Sequence, residues 1–377
     1  SNTLSNRDSS NCSHSFCDTS RLAYFGLDQD IRLNRHCSSV STWVRDSDTS
    51  AFRLASVSRI ETKEGEQVRE HEVLNRIREI FDATSVHRGI IVGNGDDGAV
   101  LSLPDHTVVS TDMAVEGVHF RVDWSSPEEI GRKITAANLA DICAMGGWPE
   151  YLLVAVAFPS HHLHLLEGLA RGIADEARKV GARVIGGDLS QGGELVISIT
   201  AIGATKQPIL RSGAKIGDAV VISDLPGTSA AGLSLLSKGI EIDTDVARRL
   251  ISQHCAPEID YVRYRSAFPL LNSATDISDG LIVDASHIAS ASSVAMELDT
   301  KTLSSNAQFN DVHTAFDEFQ DALTAVLTGG EDHVLLGTTS EPEHIDGFIR
   351  IGTVVPGQGI YVDGKRQETE SGYQHRW

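Results

Sequence analysis

Acidic residues recur at strand ends and glycine-rich turns along this chain, and their chemistry sets the first question. The run Gly93-Asn94-Gly95-Asp96-Asp97-Gly98 fits G-x-G-x-x-G and follows an apolar stretch at 89–92. That pattern invites comparison with a dinucleotide-binding turn. Two facts oppose it. A pyrophosphate at the turn would meet two carboxylates. The following Ala99-Val100-Leu101-Ser102-Leu103 is strand-like, where a dinucleotide site needs a helix. Paired aspartates make sense if a cation stands between them and a phosphate, because Mg²⁺ takes carboxylate, water and phosphate oxygens. The other reading is a plain Asp-Gly hairpin turn.

Similar stations recur downstream. Ser110-Thr111-Asp112 ends an apolar strand, and Asp188 follows Gly186-Gly187 at another strand end. Asp141 sits in Asn138-Leu139-Ala140-Asp141 on a mostly apolar helix. There a carboxylate is either on the solvent side or paired, since burying it alone is costly. Asp276-Ile277-Ser278-Asp279-Gly280 precedes an apolar helix, where Ser278 or Asp279 also suits an N-cap. Gly329-Gly330-Glu331-Asp332 is a further acidic turn.

Taken together, the stations read as a polycarboxylate site that grips a polyphosphate through several Mg²⁺ ions. No G-x-x-x-x-G-K-[ST] sequence occurs anywhere, so metal ions carry the neutralisation that a phosphate-loop lysine supplies elsewhere. Arg211, in Leu210-Arg211-Ser212-Gly213-Ala214, is either a direct phosphate contact or a surface loop arginine.

The composition agrees with a metal–phosphate ligand. The 377 residues carry 32 basic and 52 acidic side chains, a formal net charge of -20. That argues against general nucleic-acid binding and against anionic membrane surfaces. The longest apolar run, at 151–158, falls far short of the ~20 residues that span a bilayer. No secretory pattern is expected at the start. Five scattered cysteines do not make a disulfide scaffold, so a reducing cytoplasm is the default. His161, His162 and His164 read as a solvated helix start, and Cys143 and Cys255 as small packed residues.

The elements that must position these residues follow from periodicity. Residues 1–66 are Ser-rich without a sustained apolar period and read as a poorly ordered extension; the alternative is a docking segment using Trp43 and Phe52. Cys12, His14 and Cys17 lack a second ligand pair at zinc spacing. Apolar spacing predicts a helix over 68–82, then strands at 89–92 and 107–111. Ser125-Ser126-Pro127-Glu128-Glu129 starts a helix that runs to about Met145 and stops at Gly146-Gly147. A strand at 151–158 and a helix at 162–180 follow, then strands at 184–185 and 195–202 joined by a Gly-rich loop at 186–193. Beyond a break near Lys206-Gln207-Pro208 come a strand at 219–223, helices at 228–238 and 244–254, a helix after Asp279, and strands at 333–338 and 349–355. The organisation is an extension over 1–66, a domain over 67–205 and a second over 206–377, both mixed α/β.

The ordered set of motifs over residues 68–377 resembles the thiamine-monophosphate kinase family. It comprises Gly95-Asp96-Asp97, Ser110-Thr111-Asp112 with Glu116-Gly117-Val118-His119-Phe120, Asn138-Leu139-Ala140-Asp141 with Ala144-Met145-Gly146, Gly186-Gly187-Asp188, Leu210–Ala214, Asp276–Leu281 and Leu327–Asp332. The resemblance implies a mixed α/β (α+β) fold of two PurM-like domains, as in aminoimidazole ribonucleotide synthetase. Its N-terminal domains pair across a homodimer. It implies ATP-dependent, Mg²⁺-assisted phosphorylation of thiamine monophosphate to the diphosphate. Carried over motif by motif, Asp97, Ser110, Thr111, Asp112, Asp141, Asp188, Asp276 and Asp279 hold metal ions. Gly187, Asp188, Arg211 and Ser278 face ATP. His119, Glu331 and Tyr373 face thiamine monophosphate, the last by stacking on a cationic ring. Asp97, Asp112, Asp279 and Arg211 would bear most directly on catalysis. The chain departs from the family at Asn94, at Gly98, in Ser223-Asp224-Leu225-Pro226-Gly227-Thr228-Ser229, and at His333-Val334, where Tyr-Glu is usual. The rival readings are a sister enzyme of the same superfamily and an inactive nucleotide-binding homologue.

Overall fold

The computed structural model describes residues 106–239 and 244–368, with shorter stretches between residues 43 and 102. Asp97 with its turn, Tyr373, and the Cys12-His14-Cys17 group lie outside the described residues. Two compact units divide the chain, residues 1–75 and 76–377. In the first, Trp43–Arg45 pairs antiparallel with Phe52–Leu54, and Arg59–Glu61 with Gln67–Arg69. The helix expected over 68–82 therefore begins later: residues 67–69 are a strand, and residues 76, 77 and 79–81 are helical. Gln67-Val68-Arg69 alternates polar and apolar, a period of two that a helical reading of Val68 overlooks.

Among its described residues the second unit holds an antiparallel pair, Ile90–Val92 with Val100–Leu101, and two larger sheets. The smaller has four strands: β1 (His106–Val115), β2 (Trp148–Phe158), β3 (Arg183–Gln191) and β4 (Val196–Thr205), in the order β1-β4-β2-β3. β4 runs antiparallel to β1 and β2, and β3 runs parallel to β2. Two helices, α1 (Pro127–Ala144) and α2 (Leu166–Val180), cover one face. Strand alternation gives them an apolar floor that includes Ile197, Ile199 and Ala201, all fully buried.

Helix α1 starts where the sequence places it. Ser126 Oγ accepts from the Glu129 N–H, and Glu129 returns a bond to the Ser126 N–H, a capping box followed by Pro127 at the first helical position. α1 and α2 approach through glycine. A Cβ on Gly172 would lie 2.0 Å from the Glu128 carbonyl oxygen, and one on Gly131 would lie 2.3 Å from that of Leu169. Larger residues would push the helices apart.

One expectation is corrected here. Residues 186–193 do not form a loop between two short strands, because residues 183–191 are a single strand at the sheet edge. A Cβ on Gly187 would lie 1.9 Å from the Val154 carbonyl oxygen, so this glycine permits the close strand pairing.

The larger sheet comprises β5 (Ala219–Ile222), β6 (Ser273–Ile277), β7 (Ala295–Leu298), β8 (Val334–Thr339), β9 (Ile349–Val355), β10 (Gly359–Val362) and β11 (Lys365–Arg366), in the order β6-β8-β5-β9-β7-β10-β11. Its helices are α3 (Thr228–Lys238), α4 (Asp245–Cys255), α5 (Tyr261–Ala267), α6 (Leu281–Ser292), α7 (Thr300–Ser305), α8 (Ala307–His313) and α9 (Phe319–Thr328). Strand β6 carries no apolar alternation in the sequence, because all five of its residues are buried and three of them, Ser273, Thr275 and Asp276, are polar. α7 and α8 span six and seven residues, too few to reveal a helical period.

Buried polar contacts join the two halves of this unit. Tyr261 on α5 donates to Glu176 on α2 at 2.7 Å, and Glu176 is fully buried with Lys179 at 2.9 Å. The Arg265 guanidinium stacks 4.4 Å from the centre of the Trp148 ring. Among the described residues, no helix is long and apolar enough to cross a membrane.

Candidate active site

A cavity of about 620 Å³ opens between β1 and α1 on one side and β6, α3 and the 329–333 turn on the other. Strand alternation decides what β1 offers it. Ser110 and Asp112 face α1, where the Ser110 hydroxyl donates to Asp141 and the Asp112 N–H donates to Asn138 Oδ1 at 3.2 Å. Thr111 points to the opposite face, where its hydroxyl donates to the Ile199 carbonyl at 3.0 Å and meets Thr200 Oγ1. Helix α1 contributes Lys133, Ala137 and Asp141 to the lining, spaced by four so that they share one face.

Three carboxylates converge at one end. Burial, then Asp276 and Asp112, pushes the Asp141 carboxyl up to about 7. Burial likewise lifts Asp112, with Asp276 adding to the effect and His333 opposing it. His333 Nδ1 lies 3.1 Å from Asp276 Oδ2. Burial alone would lower the His333 pKa, but Asp276 and the other carboxylates hold it above the ordinary value.

The 278–280 turn between β6 and α6 is built around a residue that the motifs did not flag. Asp284 Oδ2 accepts from the backbone N–H groups of Ser278, Asp279 and Gly280 at 3.0, 3.0 and 3.1 Å. Burial and then Asp276 push its carboxyl up to about 7, against the pull of those donors. The turn thus presents Ser278 and Asp279 to the cavity.

His119, Glu331 and an apolar wall that includes Ile130, Ile134, Phe120 and Leu233 line the same cavity. The Val115 N–H donates to His119 Nδ1 at 3.1 Å, so a neutral ring carries its proton on Nε2. Lys133 Nζ lies 3.1 Å from Glu331 Oε2 and donates to the His254 carbonyl at 2.9 Å. Burial would raise the Glu331 pKa, yet Lys133 first, and His254 second, bring it below the ordinary value. Asp332 faces away from the cavity. Its oxygens accept from the Gly227 and Ser229 N–H groups and the Thr228 hydroxyl, fixing the turn that starts α3.

The cavity therefore gathers Asp112, His119, Asp141, Asp276, Ser278, Asp279 and Glu331; Thr111 borders it with its hydroxyl turned to β4. Ser110 stands behind Asp141. Gly187 and Asp188 lie exposed on edge strand β3, where Asp188 accepts from Ser190 Oγ at 2.9 Å. Arg211 sits beside β6, donating to Thr275 Oγ1 at 3.2 Å. Lys133, Asp284 and His333 are the site residues the motifs missed. The four-residue spacing from Lys133 to Ala137 to Asp141 is the signal that reveals the first.

Among the described residues, no group of three or more His, Cys, Asp or Glu side chains is placed to hold a metal ion as it stands. The donor chemistry nonetheless suits a hard divalent cation. Asp112 and Asp141 are both raised by burial and by Asp276, so a cation bridging to phosphate oxygens would relieve this cluster.

The chain matches two family models: AIR synthase related protein, N-terminal domain, over residues 95–205, and AIR synthase related protein, C-terminal domain, over residues 215–365. Thiamine-monophosphate kinase of Mycobacterium tuberculosis is 37% identical over 303 residues, 76% of this chain and 86% of the relative. That of Bacillus subtilis is 36% identical over 280 residues, 71% of this chain and 83% of the relative. The crystal structure of thiamine-monophosphate kinase from Stenotrophomonas maltophilia superposes with a TM-score of 0.71 at 28% identity, covering 79% of this chain and 98% of that one. A chain solved as AaThiL complexed with AMPPCP and TMP superposes with a TM-score of 0.67 at 28% identity, covering 81% and 97%. Hydrogenase maturation protein HypE of Escherichia coli, at 18% identity and a TM-score of 0.59, shares the fold alone. With two AIR-synthase-like domains, a carboxylate-lined cavity shared between their sheets, and relatives of this identity along most of its length, the chain belongs to the thiamine-monophosphate kinase family.

Proposed function

We propose that this chain transfers the γ-phosphoryl group of ATP to the phosphate of thiamine monophosphate, giving thiamine diphosphate and ADP. The observation that carries the reading is the mixed lining of one cavity. Asp112, Asp141, Asp276 and Asp279 stand in the same space as His119, Glu331 and an apolar wall. A polyphosphate suits the carboxylates through bound cations, and a cationic, partly apolar ring system suits Glu331 and the apolar wall.

An anionic oxygen of the acceptor phosphate attacks the γ-phosphorus in line, and the bond from that phosphorus to the ADP oxygen breaks. The acceptor is already ionised, so no side chain has to remove a proton. Catalysis then rests on positioning and charge. Mg²⁺, when bound by Asp112, Asp141 and Asp276, with Asp97, Ser110, Thr111, Asp188 and Asp279 as the remaining donors, neutralises phosphate charge. Ser278, Gly187 and Arg211 orient ATP. His119 offers its Nε2 proton to the acceptor phosphate. Glu331 and Tyr373 receive the thiamine rings.

A homodimer forms part of the same reading. Val109, Met113 and Leu153 stand 60, 57 and 37% exposed on the face of the small sheet that its helices leave open. Such a face suits a second copy. A cytoplasmic setting agrees with Cys143 and Cys255 as buried free thiols.

The test is product analysis by mass spectrometry. The protein is incubated with ATP, Mg²⁺ and thiamine monophosphate, with unphosphorylated thiamine in parallel. Thiamine diphosphate and ADP form together, only with the monophosphate and only with Mg²⁺. ATP binding without diphosphate formation would overturn the assignment.

A further inference from the structure

We infer that Lys133 is a positioning residue for the organic end of the acceptor, acting through Glu331. The inference rests on the reading of this cavity as the thiamine-monophosphate site and adds a residue that no motif assigns.

Lys133 is 7% exposed and, among the described residues lining the cavity, the single Lys or Arg. It crosses between the two halves of the unit. Its backbone belongs to α1, while its ammonium holds the Glu331 carboxylate at 3.1 Å and the His254 carbonyl at 2.9 Å. A buried ammonium is costly unless paired, so this geometry is a tightly specified one.

The groups facing Glu331 are Lys133 from α1, His254 from α4 and His333 from its own turn. His254 Nδ1 lies 3.8 Å from the carboxylate and 3.0 Å from Ser229 Oγ. Burial, then Lys133, lowers His254 to about 4, so it is neutral at ordinary pH. Lys133 is therefore the fixed charge that keeps Glu331 ionised and aimed. An ionised Glu331 attracts a cationic ring and accepts from an exocyclic amine; a protonated one does neither well.

Helix α1 also sets a distance. Lys133 and Asp141 are eight residues apart on one face, about 12 Å along the axis at 1.5 Å per residue.

The test is steady-state kinetics of Lys133→Met, with Lys133→Gln as a second variant should the first fail to fold, each also placed in a Glu331→Gln background. The KM for thiamine monophosphate rises roughly thirtyfold, the lower end for stripping one partner from a buried ion pair. The KM for ATP and kcat stay within about twofold. In the Glu331→Gln background the added lysine change alters that KM by less than about threefold. In Lys133→Met the KM also falls as pH rises, because a buried carboxyl without its cation ionises at higher pH. A purely structural role would move neither the KM–kcat split nor this pH profile. An active wild type whose lysine variants keep the wild-type KM, or lose equally in both backgrounds, overturns the inference alone. A wild type that forms no diphosphate overturns the kinase reading and this inference with it.

Discussion

Replacing Asp284 by alanine tests whether the nucleotide turn is organised from behind. Asp284 is 2% exposed and holds the Ser278, Asp279 and Gly280 N–H groups on one oxygen. Alanine leaves all three donors without that partner. Gly280 is buried, so its N–H loses about 1–3 kcal/mol; those of Ser278 and Asp279 are partly exposed and recover most of theirs from water. Relief of a carboxyl whose burial pushes it up to about 7 offsets part of the loss. The net is a destabilisation of about 1–2 kcal/mol, a fall in Tm of roughly 2–8 °C. Asp284 touches the cavity only through the turn. The kinetic effect should therefore appear in the KM for ATP and in kcat, with the KM for thiamine monophosphate little changed. Asp284→Asn keeps one acceptor oxygen and should recover most of both losses. Calorimetry in metal-free buffer and ATP titrations at saturating acceptor read the two effects. An alanine variant that melts within 1 °C of wild type and keeps its KM for ATP would refute the reasoning.

Asp112→Asn lowers kcat by roughly 10²–10³-fold, as expected for losing one charge-stabilising group. It leaves the metal-free Tm unchanged or higher, since one charge leaves a cluster that burial already raises; a variant with wild-type turnover contradicts the metal assignment. Asp141 has a folded value of about 7 against an ordinary 3.8, so its contribution to metal-free stability is greatest below that ordinary value and is lost as pH rises through about 7. Mg²⁺ should therefore raise Tm more at about pH 8 than at about pH 5, and scanning fluorimetry showing the reverse order removes the argument. Met113→Lys on the open sheet face, where Met113 is 57% exposed, should shift a dimer toward monomer in sedimentation velocity without lowering Tm of the monomer.

The legible parts of this fold are those with a strong local signal. Ser126-Pro127 and Glu129 announce α1, and the α3, α4 and α6 helices begin within two residues of their expected starts. Strands β5, β8 and β9 carry enough apolar residues to be seen. What escaped was structure whose signal is not local. Strand β3 reads as a loop because Gly186-Gly187-Asp188 has turn composition; only pairing with β2 makes it a strand. Among site residues, the aspartates stand out in the sequence against apolar and glycine neighbours, although Asp112 and Asp188 lie inside strands β1 and β3 rather than at their ends. Asp284 was hidden four residues inside a helix, and Lys133 among the polar positions of α1. Both act on groups whose identity depends on the fold.

The 329–333 turn explains why such a site can persist in a stable protein. Glu331 and His333 have φ values of 63° and 52°, in the left-handed region that non-glycine residues seldom occupy. Each such residue costs on the order of 1–3 kcal/mol, so the surroundings must over-determine the turn. They do so on both sides. The Glu331 N–H donates to the Ser278 carbonyl at 2.8 Å and the His333 N–H to that of Ile277 at 2.9 Å, locking the turn onto β6. Between them Asp332 fixes the start of α3 through three further bonds. The backbone reversal sends three consecutive side chains to three tasks: Glu331 to the ring end of the cavity, Asp332 to the α3 turn, and His333 to Asp276 at the carboxylate end. A right-handed turn would aim at most one of them correctly. The strain is the cost of giving Glu331, Asp332 and His333 three different tasks on a single five-residue segment.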